Sequence, residues 1–310
     1  MIWSIWNTVG PFFLIHNYNA TQIKIAVDHP HSFHKQAYNI MLEGKKIAII
    51  GAGKMGETLV TRLLSTGTLK KDQLFVTAKH KARVSAMHER FGVNGSTDNA
   101  EAVKDADIIL LCVKPQIALH VITGIREAIN SNQLLISIMA GFTLKQLQDA
   151  LVLPLPVIRA MPNTPSEIGA GMTVLASGRE TNGEHILLAE KFFGAVGKTM
   201  VLDEKYFDAV TGLSASGPAF IYVVIEALAE GGVKCGLPRD VSTALVAQAC
   251  LGAARMVAEK NLHPAILKDH VTTPAGCTID GLLKLEEGGL RVTMIKAVDE
   301  AARRAKELGS

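Results

Sequence analysis

The segment that most restricts the fold of this chain is a strand, a glycine-rich turn and a helix in succession. Residues 46–50 form a short apolar run, typical of a buried parallel strand, that leads directly into Gly51-Ala52-Gly53-Lys54-Met55-Gly56. A helical stretch follows over 57–65, and residues 74–77 predict the next strand. In this order the first glycine permits a tight turn, the second lets the backbone approach a pyrophosphate, and the third lets helix and strand pack closely. The segment therefore predicts a dinucleotide-binding site; glycines that only shape a turn are the alternative.

The end of the second strand indicates which dinucleotide is bound. Sites for NAD usually place Asp or Glu there to accept the ribose hydroxyls. Residues 77–83 contain no acid, but they do contain Lys79, Lys81 and Arg83. Three cations suit a 2′-phosphate, which favours NADPH and leaves NADH as the alternative. A solvated basic turn would have the same sequence.

Further apolar runs alternate with helical stretches along the first two thirds of the chain. They occupy residues 107–113, 134–139, 157–161 and 172–176. This alternation predicts an α/β fold with a doubly wound parallel sheet and with ligands beyond the carboxyl ends of the strands. Lys114 and Asn163 stand at such ends, where ligand contact and an ordinary loop role are equally open. The strand pattern stops near residues 198–208.

From about residue 207 the sequence pattern is helical. Helices are predicted over 218–230, where Gly231 and Gly232 would close the helix, and over 240–260, 278–285 and 290–308. About 100 residues of such apolar helices make a thin core, so we expect this part to pack against a partner subunit.

Two glycine-containing loops of the helical part each precede a predicted helix. The first covers residues 211–218, with Ser216 as the expected N-cap, and the second covers residues 272–278. A helix N-terminus with hydroxyls and free N–H groups binds small anions such as a carboxylate. Two well-capped helices without a ligand would give the same pattern.

Composition excludes several other classes of protein. The chain has 310 residues, 48% hydrophobic and 20% charged, which is typical of a globular protein of about two domains. A net charge of +3 without a long basic run argues against a nucleic-acid partner. The chain has no uncharged apolar run of ~18 residues, so no membrane span is expected. Its four cysteines have no metal-ligand spacing, which indicates reduced thiols and a cytoplasmic protein.

The first 43 residues show neither a helical nor a strand period. They are expected to form an irregular extension, followed by a dinucleotide-binding domain over 44–205 and a helical domain over 206–310. Met41 is a candidate start of translation. The extension contains both tryptophans of the chain, Trp3 and Trp6. It also contains four histidines that a metal site would use: His16, His29, His31 and His34. Without cysteines or helical spacing, a metal site there is the weaker alternative.

Taken together, these segments resemble the pyrroline-5-carboxylate reductase family over about residues 45–308. The shared motifs are the glycine-rich turn, Val113-Lys114-Pro115, Met161-Pro162-Asn163-Thr164-Pro165, the run 208–219 and the signature loop Thr273-Pro274-Ala275-Gly276-Cys277-Thr278. Within that loop the family commonly has Gly-Gly where this chain has Ala275-Gly276. Several motifs in one order are far more specific than the glycine-rich turn alone.

The resemblance implies a Rossmann-type domain followed by an all-helical dimerisation domain, and a homodimer that is often assembled further. It also implies hydride transfer from NADPH to the ring C=N carbon of 1-pyrroline-5-carboxylate, which gives L-proline in the final step of proline biosynthesis. The implied substrate contacts are Thr273, Gly276, Cys277 and Thr278, with the Thr278 hydroxyl as partner or proton relay of the ring nitrogen. The implied cofactor contacts are Gly51, Ala52, Gly53, Lys54, Met55, Gly56, Asn99, Cys112, Val113, Lys114, Pro115, Met139, Ala140 and Glu204. The charge argument adds Ala78 and Lys79.

Two other functions stay open at this point. A two-domain dehydrogenase of hydroxy acids would carry a lysine followed four residues later by asparagine, and no lysine from Lys205 onward has that spacing. A sensor that binds NADP(H) without catalysis would keep the fold and lose the chemistry. The intact loop through Thr278 argues against such a sensor.

Overall fold

A computed structural model describes residues 24–25 and 41–309 of the chain, and its centre is a nine-stranded sheet. The strands in chain order are β1 (Lys24–Ile25), β2 (Ile47–Ile50), β3 (Leu74–Thr77), β4 (Asn94–Ser96), β5 (Ile108–Leu111), β6 (Leu134–Ser137), β7 (Val157–Met161), β8 (Gly171–Ser177) and β9 (Gly197–Val201). Their order across the sheet is β1-β9-β8-β7-β6-β5-β2-β3-β4. Neighbours are parallel except for the pairs β7–β8 and β1–β9.

Helices cover both faces of this sheet, as a doubly wound fold requires. They are α1 (Lys54–Ser65), α2 (Lys81–Phe91), α3 (Asn99–Lys104), α4 (Ala118–Ile125), α5 (Leu144–Leu151) and α6 (Gly183–Gly194). Ile47 and Ile49 face a core that includes residues of α1 and α6, whereas Ala48 and Ile50 face a core that includes residues of α4 and α5. Because both faces are buried, the central strands are continuous apolar runs.

All the apolar runs predicted as strands are strands, with ends that differ by at most two residues. The last strand, β9, has no predicted counterpart. It begins at Gly197, pairs parallel to β8 and ends at Val201, within the region 198–208 where the strand pattern is expected to stop. The sheet is also not wholly parallel. β8 returns antiparallel to β7, since the connection between them is too short for a crossover.

Part of the expected irregular extension belongs to the sheet. Lys24 and Ile25 form β1, which pairs with Val201 and Met200 at the edge of β9. Leu42 is buried in the core, and its carbonyl oxygen accepts a hydrogen bond from Gln73 Nε2 at 2.7 Å. The histidines and tryptophans of the extension lie outside the described residues.

The C-terminal part is helical, as predicted. It contains α7 (Phe207–Val210), a π-helical segment (Thr211–Ala215), α8 (Gly217–Lys234), α9 (Arg239–Lys260), α10 (Pro264–Val271), α11 (Cys277–Glu287) and α12 (Leu290–Gly309). Two details differ from the sequence-based expectation. Ser216 has helical backbone angles and makes no capping hydrogen bond, because the chain is already helical before it. α8 continues through Gly231 and Gly232. A Cβ on Gly232 would lie 2.0 Å from Ser242 Oγ, so this glycine serves the contact with α9.

The C-terminal end of the helical part packs against the loop that follows strand β6. A Cβ on Gly212 would lie 2.6 Å from the Val298 carbonyl oxygen, which shows how closely α12 packs on the π-helical segment. A Cβ on Gly141 would lie 3.0 Å from the Leu308 carbonyl oxygen. The last turn of α12 therefore rests against the loop that follows β6.

Two helical stretches of the described chain, Glu204–Lys234 and Arg239–Lys260, are long and apolar enough to cross a membrane. This criterion of length and composition is weak by itself. Within these stretches α8 buries only Ala229 and α9 only Ser242 in the single chain. An apolar helix left this exposed is also what a subunit interface requires.

Candidate active site

The turn after β2 has the geometry that a bound dinucleotide requires. Gly51 has a φ of +102°, and a Cβ there would lie 2.9 Å from Val113 Cγ1, so glycine is needed. A Cβ on Gly56 would lie 2.4 Å from the Gly51 carbonyl oxygen, because α1 packs directly on the turn. At Gly53, which precedes α1, a Cβ would meet no atom of the described chain within 4 Å. This open space lies at a helix N-terminus, where unpaired N–H groups favour a pyrophosphate.

Thr77, the last residue of β3, fixes this turn. Its carbonyl oxygen accepts hydrogen bonds from the N–H groups of Gly51 and Ala52, at 3.2 and 2.7 Å. Its hydroxyl donates to Asn99 Oδ1 at 2.7 Å. Thr77 is buried, so water does not compete for these bonds. The family resemblance implies Asn99 as a site residue. Thr77 is not among the expected site residues, because a threonine at the end of an apolar strand carries no distinguishing pattern.

The residues after β5 form a second wall beside the turn. The Cys112 N–H donates to the Ile50 carbonyl oxygen at 2.8 Å, which holds this segment next to the end of β2. Burial raises the pKa of the Cys112 thiol, so the group stays protonated and neutral. Val113 packs against the core, and Lys114 precedes a short 3-10 turn that begins at Pro115. The structure places Cys112 and Val113 against the glycine-rich turn, and Lys114 and Pro115 follow them directly.

Of the three cations after β3, one is bonded within the protein and two are exposed. Arg83 Nε donates to the Ala52 carbonyl oxygen at 2.7 Å, and Arg83 Nη2 pairs with Glu57. The hydrogen bond from Arg83 lowers the pKa of Glu57, so this carboxylate is charged at neutral pH. Lys79 and Lys81 are exposed and form no ion pair within the part of the chain that the structure describes. The Arg83 guanidinium is instead turned towards the protein.

The remaining predicted cofactor contacts of the sheet region differ in exposure. Ala78 is partly exposed, and its N–H donates to the Ser96 carbonyl oxygen at 3.3 Å. Ala140 is exposed, whereas Met139 is buried in the core that includes residues of α5. Ala140 is therefore the part of this segment that a ligand can reach.

Glu204 joins the helical part to the sheet. Its Oε1 accepts hydrogen bonds from the Leu144 N–H at 2.7 Å and from Arg159 Nη1 at 2.9 Å. Arg159 is buried, and its guanidinium carbon lies 4.7 Å from the centroid of the Phe207 ring. Leu144 is the first residue of α5, so its hydrogen bond to Glu204 fixes the end of the loop 138–143.

A cavity of about 300 Å³ opens where β7 meets the helical part. Asn163 lies on its wall and donates to the Ser214 carbonyl oxygen at 3.1 Å, while its Oδ1 accepts from the Met172 N–H at 2.9 Å. The amide of Asn163 is thus used within the protein, which favours the loop role over ligand contact. The other walls are mostly apolar, and the cavity lining does not include the signature loop.

The signature loop leads into α11 through two unusual positions. Ala275 has a φ of +56°, a left-handed conformation that favours glycine. Gly276 is the extended residue before α11, and its N–H donates to the Thr273 carbonyl oxygen at 3.0 Å. Cys277 is exposed, and Thr278 is partly exposed with a hydroxyl that bonds to no other described residue. The loop therefore presents free N–H groups and one free hydroxyl.

Comparison with known proteins agrees with this arrangement. A family profile described as "Pyrroline-5-carboxylate reductase dimerisation" matches residues 204–308. A second profile, described as "NADP oxidoreductase coenzyme F420-dependent", matches residues 46–141. The first match covers the helical part, and the second covers the glycine-rich turn and the strands around it.

Relatives and solved structures extend over most of the chain. Pyrroline-5-carboxylate reductase of Arabidopsis thaliana is 41% identical, covering 87% of this chain and 97% of that protein. Its namesake from Escherichia coli strain K12 is 37% identical, covering 85% of this chain and 98% of that protein. The structure of Plasmodium falciparum pyrroline carboxylate reductase with NADP bound is 32% identical and has a TM-score of 0.79, covering 86% of this chain and 99% of that one. The Coxiella burnetii reductase structure is 33% identical, with a TM-score of 0.81 and the same coverage.

The identity to these relatives spans almost their whole length, and the solved structures share both the sheet and the helical part. The chain therefore belongs to the pyrroline-5-carboxylate reductase family.

Proposed function

We propose that this chain reduces 1-pyrroline-5-carboxylate to L-proline with NADPH, the final step of proline biosynthesis. The observation that carries the proposal is that one chain holds both the open glycine-rich turn at Gly53 and an intact signature loop ending at Thr278. When bound, the reduced nicotinamide supplies the hydride for the ring C=N carbon. NADH is the alternative donor.

The surroundings of the glycine-rich turn are suited to hold the cofactor. The N–H groups of Lys54, Met55 and Gly56 have no acceptor within α1, which suits a pyrophosphate. The exposed charges of Lys79 and Lys81 suit a 2′-phosphate and favour NADPH. We assign further cofactor contacts to Gly51, Ala52, Gly53, Ala78, Asn99, Cys112, Val113, Lys114, Pro115 and Ala140. Met139 and Glu204 support those contacts from within the protein.

The signature loop is suited to hold the substrate. Free N–H groups at the start of α11, near Thr273, Gly276 and Cys277, favour the carboxylate of the ring. The Thr278 hydroxyl is available to the ring nitrogen as a hydrogen-bond partner or proton relay. A protonated imine is already electrophilic, so placement matters more than a strong base.

The helical part would join two copies of the chain, and higher assembly would build on that dimer. Large apolar side chains of α8 and α9 are exposed in the single chain, among them Val223, Leu245 and Leu251. We draw the domain boundary between residues 205 and 206, close to the start of the dimerisation match at residue 204. All four cysteines are free, in keeping with a cytoplasmic enzyme.

The test is oxidation of the cofactor, followed by its nicotinamide absorbance, with 1-pyrroline-5-carboxylate and either NADPH or NADH. We expect turnover with NADPH preferred, and at least a ~100-fold fall in kcat for Thr278→Ala, the usual loss for a proton-transfer group. Thr272→Ala is the matched control, because the Thr272 hydroxyl already donates to the Lys268 carbonyl oxygen at 2.9 Å.

Each result has one meaning. Full activity of Thr278→Ala would agree with the proposed reductase activity but would show that Thr278 is not the proton relay. Tight binding of NADPH without turnover by the wild type would contradict the enzyme and support the sensor.

A further inference from the structure

Arg83 reaches the glycine-rich turn from the helix that follows the next strand. It lies in the first turn of α2, and its Nε donates to the Ala52 carbonyl oxygen at 2.7 Å. The Ala52 N–H is bonded to the Thr77 carbonyl oxygen at the same time. Both backbone polar groups of Ala52 are therefore bonded, one to β3 and one to α2. Bonds on both sides restrain the turn that precedes the open helix N-terminus.

Glu57 holds Arg83 in this position. One of its carboxylate oxygens pairs with Arg83 Nη2, and the other pairs with Arg90 Nη1. Glu57 lies in the first turn of α1, where an isolated carboxylate would repel a pyrophosphate. The ion pair with Arg83 alone neutralises the carboxylate of Glu57, so this repulsion is removed even without Arg90.

We propose that Arg83 is a positioning residue for the cofactor: it sets the glycine-rich turn through Ala52 and supports the pyrophosphate equally in NADPH and NADH. The preference for a 2′-phosphate then rests on Lys79 and Lys81, whose charges are exposed and have no partner among the described residues. This inference rests on the proposed cofactor site. It gives separate roles to three cations that the sequence alone does not distinguish, because only Arg83 is bonded to the turn.

The test measures the binding of NADP⁺ and NAD⁺ separately by calorimetry, without substrate. We expect Arg83→Ala to weaken both by the same factor, about tenfold, so that their ratio stays constant. The double variant Lys79→Ala/Lys81→Ala should weaken NADP⁺ alone. Arg90→Ala is the matched control, because Arg90 shares Glu57 with Arg83 but does not contact Ala52, and both affinities should stay near those of the wild type.

A second variant separates positioning from a general loss of structure. Arg83→Lys keeps the positive charge and should keep the melting temperature of the wild type. Lysine cannot bond to Ala52 and Glu57 together as the forked guanidinium does, so this variant should recover only part of the affinity that Arg83→Ala loses. In kinetics, Arg83→Ala should raise KM for NADPH and leave kcat at saturation unchanged.

Two outcomes would overturn the proposal. A loss of NADP⁺ affinity alone in Arg83→Ala would place Arg83 on the 2′-phosphate, and unchanged binding of both dinucleotides would show that the turn does not need it. Because binding is measured without substrate, these results are separate from failure of the proposed reaction, which would show as binding without turnover.

Discussion

Gly276 and Thr273 touch across the signature loop: a Cβ on Gly276 would lie 2.5 Å from Thr273 Oγ1. The Gly276 N–H also donates to the Thr273 carbonyl oxygen, which closes the loop as a tight turn. The position of this turn determines where α11 begins. It therefore determines where the N–H groups and the hydroxyl of its first turn point.

A methyl group at Gly276 should disturb substrate binding. Gly276→Ala would push Thr273 away and widen the turn, so we expect KM for 1-pyrroline-5-carboxylate to rise about tenfold or more, which is about 1.4 kcal/mol. Steady-state kinetics at saturating NADPH measure this. Gly281→Ala is the control inside the same helix, where an added Cβ meets no described atom within 4 Å. Equal KM values for the two variants would contradict the prediction.

Ala275 is the one residue of the signature loop in a left-handed conformation, and the family commonly has glycine there. The conformation costs alanine about 1–2 kcal/mol. Glycine avoids that cost but adds about 0.4–1 kcal/mol of unfolded-state entropy. Ala275→Gly should therefore stabilise the protein slightly, by about 0.5 kcal/mol. Urea unfolding measures the difference, and a clear loss of stability would show that the methyl group has a packing role.

Alanine substitutions of Gly53 and Gly56, on either side of the start of α1, should affect different properties: cofactor binding in the first case and folding stability in the second. Gly53→Ala meets no described atom, so the fold should keep its melting temperature while NADP⁺ affinity falls about tenfold, because the methyl group occupies the open space. Gly56→Ala would clash with the Gly51 carbonyl oxygen and cost about 2 kcal/mol of folding stability. Calorimetric binding and thermal melting of both variants provide the test. Unchanged NADP⁺ binding by Gly53→Ala would place the pyrophosphate elsewhere.

The Glu57 cluster should make folding stability depend on pH. The pKa of Glu57 is lowered in the folded protein, chiefly by the hydrogen bond from Arg83. Its contribution to stability is therefore complete above the unfolded pKa of about 4.3 and is lost as pH falls through the lower folded value. The free energy of unfolding of the wild type should exceed that of Glu57→Gln at neutral pH and approach it in acid. A difference that does not change with pH would contradict this assignment.

A charge on the exposed face of α9 should prevent association of subunits. Leu245 is 57% exposed in the single chain, and burying an added carboxylate in an apolar interface is costly. We expect Leu245→Glu to halve the mass of the assembly measured by light scattering. Leu119→Glu is the matched control, since Leu119 is 59% exposed but lies on α4 over the sheet. Loss of assembly in both variants, or in neither, would place the interface elsewhere.

The sheet could be predicted from the sequence where its strands are buried on both faces. Residues 47–50 and 108–111 are such strands, and continuous apolar runs identify them. The strands β4, at one edge of the sheet, and β9, next to the other edge, are not predicted because they contain polar residues such as Asn94 and Lys198. Neither an apolar run nor a clean alternation marks them.

The sequence predicts those parts of the candidate site that consist of backbone motifs, namely the glycine-rich turn and the signature loop. The glycine-rich turn and the signature loop each depend on glycine at fixed positions, and a single sequence shows this spacing. The hydrogen bonds from Arg83 to Ala52 and from Leu144 to Glu204 join residues that are far apart in the sequence, so no local pattern reveals them. Ser216 and Pro218 suggest that a helix begins there, but the chain is already helical in the π-helical segment before them, which continues into α8.

The loop 138–143 is held both by the sheet and by the last helix. The Ile138 N–H donates to the Leu111 carbonyl oxygen at 3.1 Å, and Phe142 is buried in the core. Glu204 accepts a hydrogen bond from Leu144 at the end of the loop, and the last turn of α12 rests on Gly141. The position of this loop therefore depends on α12 as well as on the sheet. A change in the packing of α12, such as contact with a second copy of the chain would cause, would be transmitted to the loop at Gly141.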